Sequence, residues 1–216
     1  MRFTNGAHWI TIRADRRMQS LCSARFGKWM PTIGVHDGIV TIRHLHVSSR
    51  DWLDCRSECP AEVALNARIP WGIEVRGGAS QLVADLRGLR IGSLSVAGGV
   101  GRMEVLLPVP SGTVDILFLG GASNVAIHRP EGIAARLRVG GGATLLKFDD
   151  RGIGAAGGEL DLRSRHYDGA TDRYAVAVTG GANNVTIDER REVKGSGARR
   201  HENPRSGPDH QERRGS

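Results

Sequence analysis

The sequence predicts an all-β chain, a β-solenoid of about six coils with a small N-terminal strand-helix-hairpin cap and a disordered C-terminal tail. Three features predict it. Paired glycines recur at a near-constant interval, apolar residues alternate on both sides of each pair, and Pro- or Gly-bearing turns separate one alternating unit from the next. The chain holds 30 Gly in 216 residues. That is about twice the usual ~7 % share, without the every-third-residue period of collagen, so the excess belongs to particular corners.

The N-terminal residues 1–60 read as the cap. Trp9-Ile10-Thr11-Ile12 alternates as a short strand, and Asp15 is placed to N-cap a helix with Met18, Leu21, Cys22 and Phe26 on one face. Ile33 and Val35, then Asp37-Gly38, then Val40 and Ile42 spell a hairpin. A two-residue turn there pairs Val35 with Val40 and Ile33 with Ile42. Residues 48–60, rich in Ser, Asp, Arg and Cys, join this cap to the repeats.

Residues 61–188 read as the repeat domain. Gly-Gly pairs begin at Gly77, Gly98, Gly120, Gly141 and Gly180, which are 21, 22, 21 and 39 residues apart. The last gap is close to two periods and contains a degenerate pair, Gly157-Gly158, which gives six corners in all. Ile73 and Val75, Leu94 and Val96, Ile116 and Phe118, Leu137 and Val139, Val176 and Val178 alternate before the corners. Leu82 and Ala84, Met103 and Val105, Val125 and Ile127, Leu146 and Phe148, Val185 and Ile187 alternate after them. Period two means strand on both sides. A coil of about 21 residues returns the chain by one strand spacing of ~4.8 Å, so equivalent residues lie in register. Tight bends need backbone with positive φ and no side-chain bulk, which Gly supplies. Ser80, Ser123, Thr144 and Asn183 follow the corners, either as a hydrogen-bonded ladder from coil to coil or simply as turn formers.

The Val-x-Gly-Gly-Ala-Ser-x-Leu pattern of residues 75–82, with Leu107-Pro-x-Pro-Ser-Gly112 and Arg129-Pro-x-Gly132 between copies, resembles the bacterial toast-rack and putative-adhesin β-solenoid families. The likeness covers roughly residues 62–188. It implies a fold and a binding or structural role, brings no catalytic residues with it, and for many members goes with export or membrane tethering.

Residues 189–216 carry 8 basic and 5 acidic side chains with Val193 the one sizeable aliphatic, too little apolar surface to offset the entropy of ordering, so the segment reads as a disordered basic tail. The net charge of +7 divides between the ends: residues 1–69 hold 10 basic and 6 acidic groups, whereas residues 70–188 hold 12 of each. A nucleic-acid surface clusters basic groups on a folded face, so nucleic acid is the least favoured partner class. No apolar run of 18 residues and no signal-like h-region occurs, and three cysteines make no disulfide framework, so the expected location is the cytoplasm.

Several motifs invite chemistry. Gly152-Ile-Gly-Ala-Ala-Gly157 matches the dinucleotide fingerprint, but the following Gly158-Glu-Leu-Asp-Leu-Arg163 alternates as a strand where the motif needs a helix N-terminus for the pyrophosphate, and no cofactor is expected. His44, His46, Cys55 and Cys59 supply four zinc-type donors, although no turn chemistry forces the two pairs together. Asp149, Asp150, Asp161, Asp168 and Asp172 are the carboxylates that hydrolysis on a β-helix would require. The richest polar and aromatic loop is Arg165–Tyr174, in which His166, Tyr167, Asp168 and Asp172 are the candidate ligand-binding residues. No His-Glu-x-x-His, phosphate loop or nucleophile elbow is present.

These observations favour a non-enzymatic binding or scaffold module whose partner is another protein or a second copy, self-associating through a sheet face or through the C-terminal end near Val185 and Ile187. Nucleic-acid or acidic-partner binding through the basic ends, and a carbohydrate-active enzyme on a β-helix, are the alternatives.

Overall fold

Alternation of buried and exposed side chains governs nearly every strand of this chain. A computed structural model describes residues 1–4, 7–27, 31–43 and 60–190. In β7 (Pro70–Arg76), Trp71, Ile73 and Val75 point inward, and in β8 (Ala79–Asp85), Leu82 and Ala84 do so. The same two-step pattern continues through β9 (Arg90–Ala97), β10 (Val100–Leu106), β11 (Thr113–Leu119) and β12 (Ala122–Pro130). From β7 to β14 successive strands fall in opposite sheets, so each coil there is one strand, a Gly-Gly corner and a second strand facing the first. The core is the space between the two sheets.

Both sheets have nine strands. One runs β16 (Leu160–Arg163), β13 (Ala134–Val139), β17 (Arg173–Val178), β11, β9, β7, β1 (Arg2–Thr4), β5 (Ile39–Arg43), β4 (Thr32–His36). The other runs β15 (Arg151–Ala156), β14 (Ala143–Phe148), β18 (Ala182–Arg190), β12, β10, β8, β2 (Ala7–Asp15), β6 (Pro60–Asn66), β3 (Cys22–Phe26). Neighbouring strands are parallel except at the four edges, where β4 on β5, β3 on β6, β16 on β13 and β15 on β14 run antiparallel. Nine strands less two edges leaves seven parallel coils among the described residues.

Parallel register lines up like residues from coil to coil. In the first sheet Ile33, Ile42, Phe3, Val75, Val96, Phe118, Val178, Val139 and Leu160 form one inward column. In the second, Ile10, Leu82, Met103, Val125, Val185, Leu146 and Ile153 form another. The corners stack as closely: a Cβ on Gly78, whose φ is +83°, would lie 2.7 Å from the Gly99 carbonyl oxygen, and one on Gly141 would lie 2.8 Å from the Gly180 carbonyl carbon. Backbone packed that tightly admits no side chain.

The stack departs from chain order at both ends. The coil β17–β18 is inserted between β11–β12 and β13–β14, and the coil β1–β2 between β5–β6 and β7–β8. The Gly157-Gly158 corner therefore joins two strands of the outermost layer and is traversed in the reverse direction: Gly142 sits against Ala156, Gly157 and Gly158. This accounts for the 39-residue gap.

Two expectations need correction. The helix after Asp15 does not form: Asp15 Oδ1 instead accepts the Arg17 amide at 2.8 Å, closing a local turn, and Cys22, Ala24 and Phe26 alternate as strand β3. The C-terminal coil is not a free end, since β18 hydrogen-bonds to β12 on one side and β14 on the other, so self-association near Val185 and Ile187 is ruled out by their position inside the stack. The hairpin at Asp37-Gly38 has the expected pairs, Val35 with Val40 and Ile33 with Ile42. Strand β18 continues through Glu189 and Arg190, and the remaining tail, residues 191–216, lies outside the described residues.

Candidate functional site

The loop from Ser164 to Asp172 connects β16 to β17, carrying the chain from the edge of the sheet to its inserted coil. Its residues are held by the coils on either side. Ser164 exchanges bonds with Ala135, its amide donating to the carbonyl at 2.9 Å and its Oγ accepting the Ala135 amide at 2.8 Å. The Tyr167 ring is buried, and the Arg173 guanidinium carbon stands 4.9 Å from its centroid while Nη1 donates to the Tyr167 carbonyl at 3.1 Å. Asp172 Oδ1 accepts the Gly112 amide at 2.6 Å, and the Arg173 amide donates to the Gly112 carbonyl at 3.0 Å. One residue further, the Tyr174 hydroxyl, fully buried, donates to the Pro108 carbonyl at 2.7 Å. Burial pushes the Tyr174 phenol well above its ordinary range.

Of the four residues proposed for ligand binding, then, Tyr167 faces inward, Asp172 holds the β10–β11 turn, and Asp168 accepts two bonds from Arg163 at 3.0 and 3.2 Å. His166 is exposed with a φ of +62°. They share a loop but do not converge on a common point, and each carboxylate already has a donor.

Two further candidate carboxylates, Asp161 and Asp149, are equally committed. Asp161, on edge strand β16, is gripped by Arg136 Nε and Nη2 at 2.7 and 2.5 Å and by Arg163 Nη2 at 3.2 Å. The hydrogen bonds from Arg136, with further help from Arg163 and the two positive charges, hold its carboxyl well below the usual range. Asp149 receives a bidentate grip from Arg129 at 2.7 and 2.9 Å. This last cluster was not evident in the sequence. Arg129 is 1 % exposed, bonds the Ile133 carbonyl at 2.6 Å, and also reaches Glu189 Oε1 at 3.0 Å. Its neighbour His128 meets Asp188 at 2.6 Å. Arg129 and Glu189 are the penultimate residues of β12 and β18 and Asp149 follows β14, so one guanidinium ties the inserted coil to both neighbours. The only available signals were the Arg129-Pro130 turn and an Asp one period further on, neither of which announces burial.

Turn-side polar residues do form a ladder in part. Thr144 Oγ1 donates to Asn183 Oδ1 at 2.8 Å, and one position on, Asn184 Nδ2 donates to Asn124 Oδ1 at 2.8 Å. The Gly152–Gly157 run is strand β15 and its corner; strand β16 stands where a dinucleotide site needs a helix. His44, His46, Cys55 and Cys59 lie outside the described residues, and among the described residues no group of three or more His, Cys, Asp or Glu is placed to hold a metal ion. Trp71 is buried with its Nε1 donating to the Asn66 carbonyl at 2.9 Å, and Trp9 is 42 % exposed.

The outer face of the first sheet carries exposed apolar side chains between its ion pairs. Glu74, Ser95, Leu117, Ala177, Arg138 and Asp161 follow one another across it in register. Arg76, Ala97 and Leu119 make a second row. Leu117 and Leu119, 37 % and 52 % exposed, thus stand among small side chains with ionic pairs to either side.

Comparison with known proteins agrees with this architecture. A search of curated proteins finds no match. A crystal structure from Clostridium sporogenes, described as that of a putative cell adhesion protein, superimposes with a TM-score of 0.70 over 88 % of this chain and 91 % of that one at 19 % identity, a likeness of fold. Residues 22–128 match the N-terminal domain of toast_rack, DUF2154. With its Gly-Gly corners, parallel coils and this match, the chain belongs to the toast-rack family of β-solenoid proteins.

Proposed function

We propose that this protein is a non-enzymatic binding or scaffold module that engages a protein partner through the outer face of its first sheet. The observation that carries the reading is the strip of small side chains Ser95, Ala97 and Ala177 around exposed Leu117 and Leu119. Small side chains let a partner's backbone approach closely, and two exposed leucines supply the apolar anchor that interfaces need. The adhesive role attached to the clostridial structure supports the same class of activity. No helix among the described residues is long and apolar enough to cross a membrane.

Affinity purification with tagged protein tests the assignment. The partner is retained by wild type and by a chain ending at Arg190, and is lost on Leu117→Asp with Leu119→Asp. Retention that follows residues 191–216 instead, and falls steeply with salt, would replace this reading with one of acidic partners or nucleic acid.

A further inference from the structure

The two ends of the solenoid are finished differently, and the difference points to a partner. At the end formed by β15 and β16, the apolar residues Ile153, Leu160 and Leu162 are partly buried against the core. The edge there carries Asp161 and Arg163, locked with Arg136 and Asp168. Charged side chains on an edge strand are the usual defence against another strand adding to it. At the opposite end, β4 has no Lys, Arg, Asp or Glu, and all five of its residues are exposed. Its Ile33 and Val35 pair with Ile42 and Val40, which are 0 % and 1 % exposed, so they belong to the inward columns of the core. Yet they are themselves 47 % and 60 % exposed. The core column that starts at Leu160 thus ends unfinished.

We infer that this end is completed by a second copy of the chain, in a two-fold dimer that joins β4 to β4 edge to edge. An antiparallel pairing centred on Gly34 places Ile33 opposite Val35 of the second copy, and a strand with that sequence is its own complement. The pairing extends the first sheet only: Gly34 aligns through Thr41 and Arg2 with Glu74, whereas Ala24 of β3, the edge of the second sheet, aligns through Val63 and Ile12 with Ala84, about three residues further from the corner, so the same axis leaves the β3 edges unpaired. A Cβ on Gly34 meets nothing within 4 Å, so the strand centre is open to a close neighbour. The inference extends the scaffold reading by naming a second copy as a partner, and it uses an end of the stack remote in kind from the Leu117 face, so each can fail alone.

Sedimentation equilibrium from about 1 µM to 1 mM is the primary test. A monomer–dimer equilibrium is expected, with Val35→Lys raising the dissociation constant by about tenfold or more and Val109→Lys, on an exposed turn, leaving it unchanged. Circular dichroism checks that Val35→Lys folds, and Gly34→Cys gives an independent positive readout: under mild oxidation it forms a covalent dimer linked through position 34, mapped by peptide mass spectrometry. Amide hydrogen exchange in β4 slows as concentration rises. A monomer at every concentration, or a dimer indifferent to Val35→Lys, overturns the inference. So does β4 protection that is independent of concentration and disappears when residues 44–59 are replaced by a Gly/Ser linker, for then the chain's own connection between β5 and β6 is the occupant.

Discussion

Arg129 is the largest fully buried side chain in the described part of the protein, and its partners Asp149 and Glu189 are 24 % and 39 % exposed. That asymmetry decides which substitution hurts more. Arg129→Met leaves two carboxylates able to recover water and keeps an apolar stem in the space, so it costs about 1–2 kcal/mol. Asp149→Asn retains the amide geometry suited to a φ of +56° but leaves a buried guanidinium without its closest counter-charge, at a cost of about 3 kcal/mol. Urea unfolding of the two variants gives the order, and a larger loss for Arg129→Met would refute the argument. A second residue-scale prediction concerns Leu145, which adopts a φ of +51° with its side chain 65 % exposed. The positions that correspond to it on neighbouring coils are Asn124 and Asn184, also at positive φ and hydrogen-bonded to each other. Asn tolerates left-handed backbone and Leu does not, so Leu145→Asn stabilises by about 1 kcal/mol and raises the urea midpoint.

Among the elements, those whose pairing is local were legible in the sequence and those decided by distant strands were not. The Asp37-Gly38 hairpin followed from a turn type and two apolar pairs, all within ten residues. Strand β3 was misread because Met18, Leu21, Cys22 and Phe26 fit a helical face as well as Cys22, Ala24 and Phe26 fit a strand; what selects the strand is the antiparallel edge of β6 waiting for it. The surroundings of the candidate site were hidden for a related reason. His166, Tyr167, Asp168 and Asp172 are chemically apt, but Gly112, which takes up Asp172, comes into reach only once β17 is inserted beside β11, while Arg163 and Arg173 are turned onto Asp168 and Tyr167 by the path of the loop itself. Edge strand β16 offers a titration test of such a contact. Asp161 binds its proton less readily folded than unfolded, so its pairing with Arg136 and Arg163 stabilises the protein above the ordinary carboxylate value of 3.8 and loses that contribution as pH falls through the lower folded value. The stability difference between wild type and Asp161→Asn should be flat from pH 7 to about 5 and shrink below about pH 4. A difference that instead changes between pH 7 and 5 would assign the effect to another group.

At the scale of the whole molecule, period and corner composition specify a stack but leave its order open. Five of the seven coils, from β7 onward, offer the same alternating inner face and the same Gly-Gly bend, so nothing local in residues 171–190 says that they lie third from the end. Order is imposed by contacts that only one arrangement satisfies: Arg129 with Glu189 and Asp149, Asp172 with Gly112, and Tyr174 with Pro108. A solenoid stacked in chain order would tolerate loss of its last coil, because each repeat leans only on its neighbours. Here loss of β17–β18 would separate β13–β16 from β11–β12 and leave both new edges without partners. A chain ending at Ala170 is therefore expected to lose the cooperative thermal transition altogether, whereas one ending at Arg190 keeps β18 and its ion pairs and melts within about 2 °C of the full chain. Calorimetry of the two truncations checks both statements. A chain ending at Ala170 that still melts cooperatively, with only a modest fall in Tm, would mean that β13–β16 can close directly on β11–β12, and the inserted coil would then be an addition to a solenoid already complete.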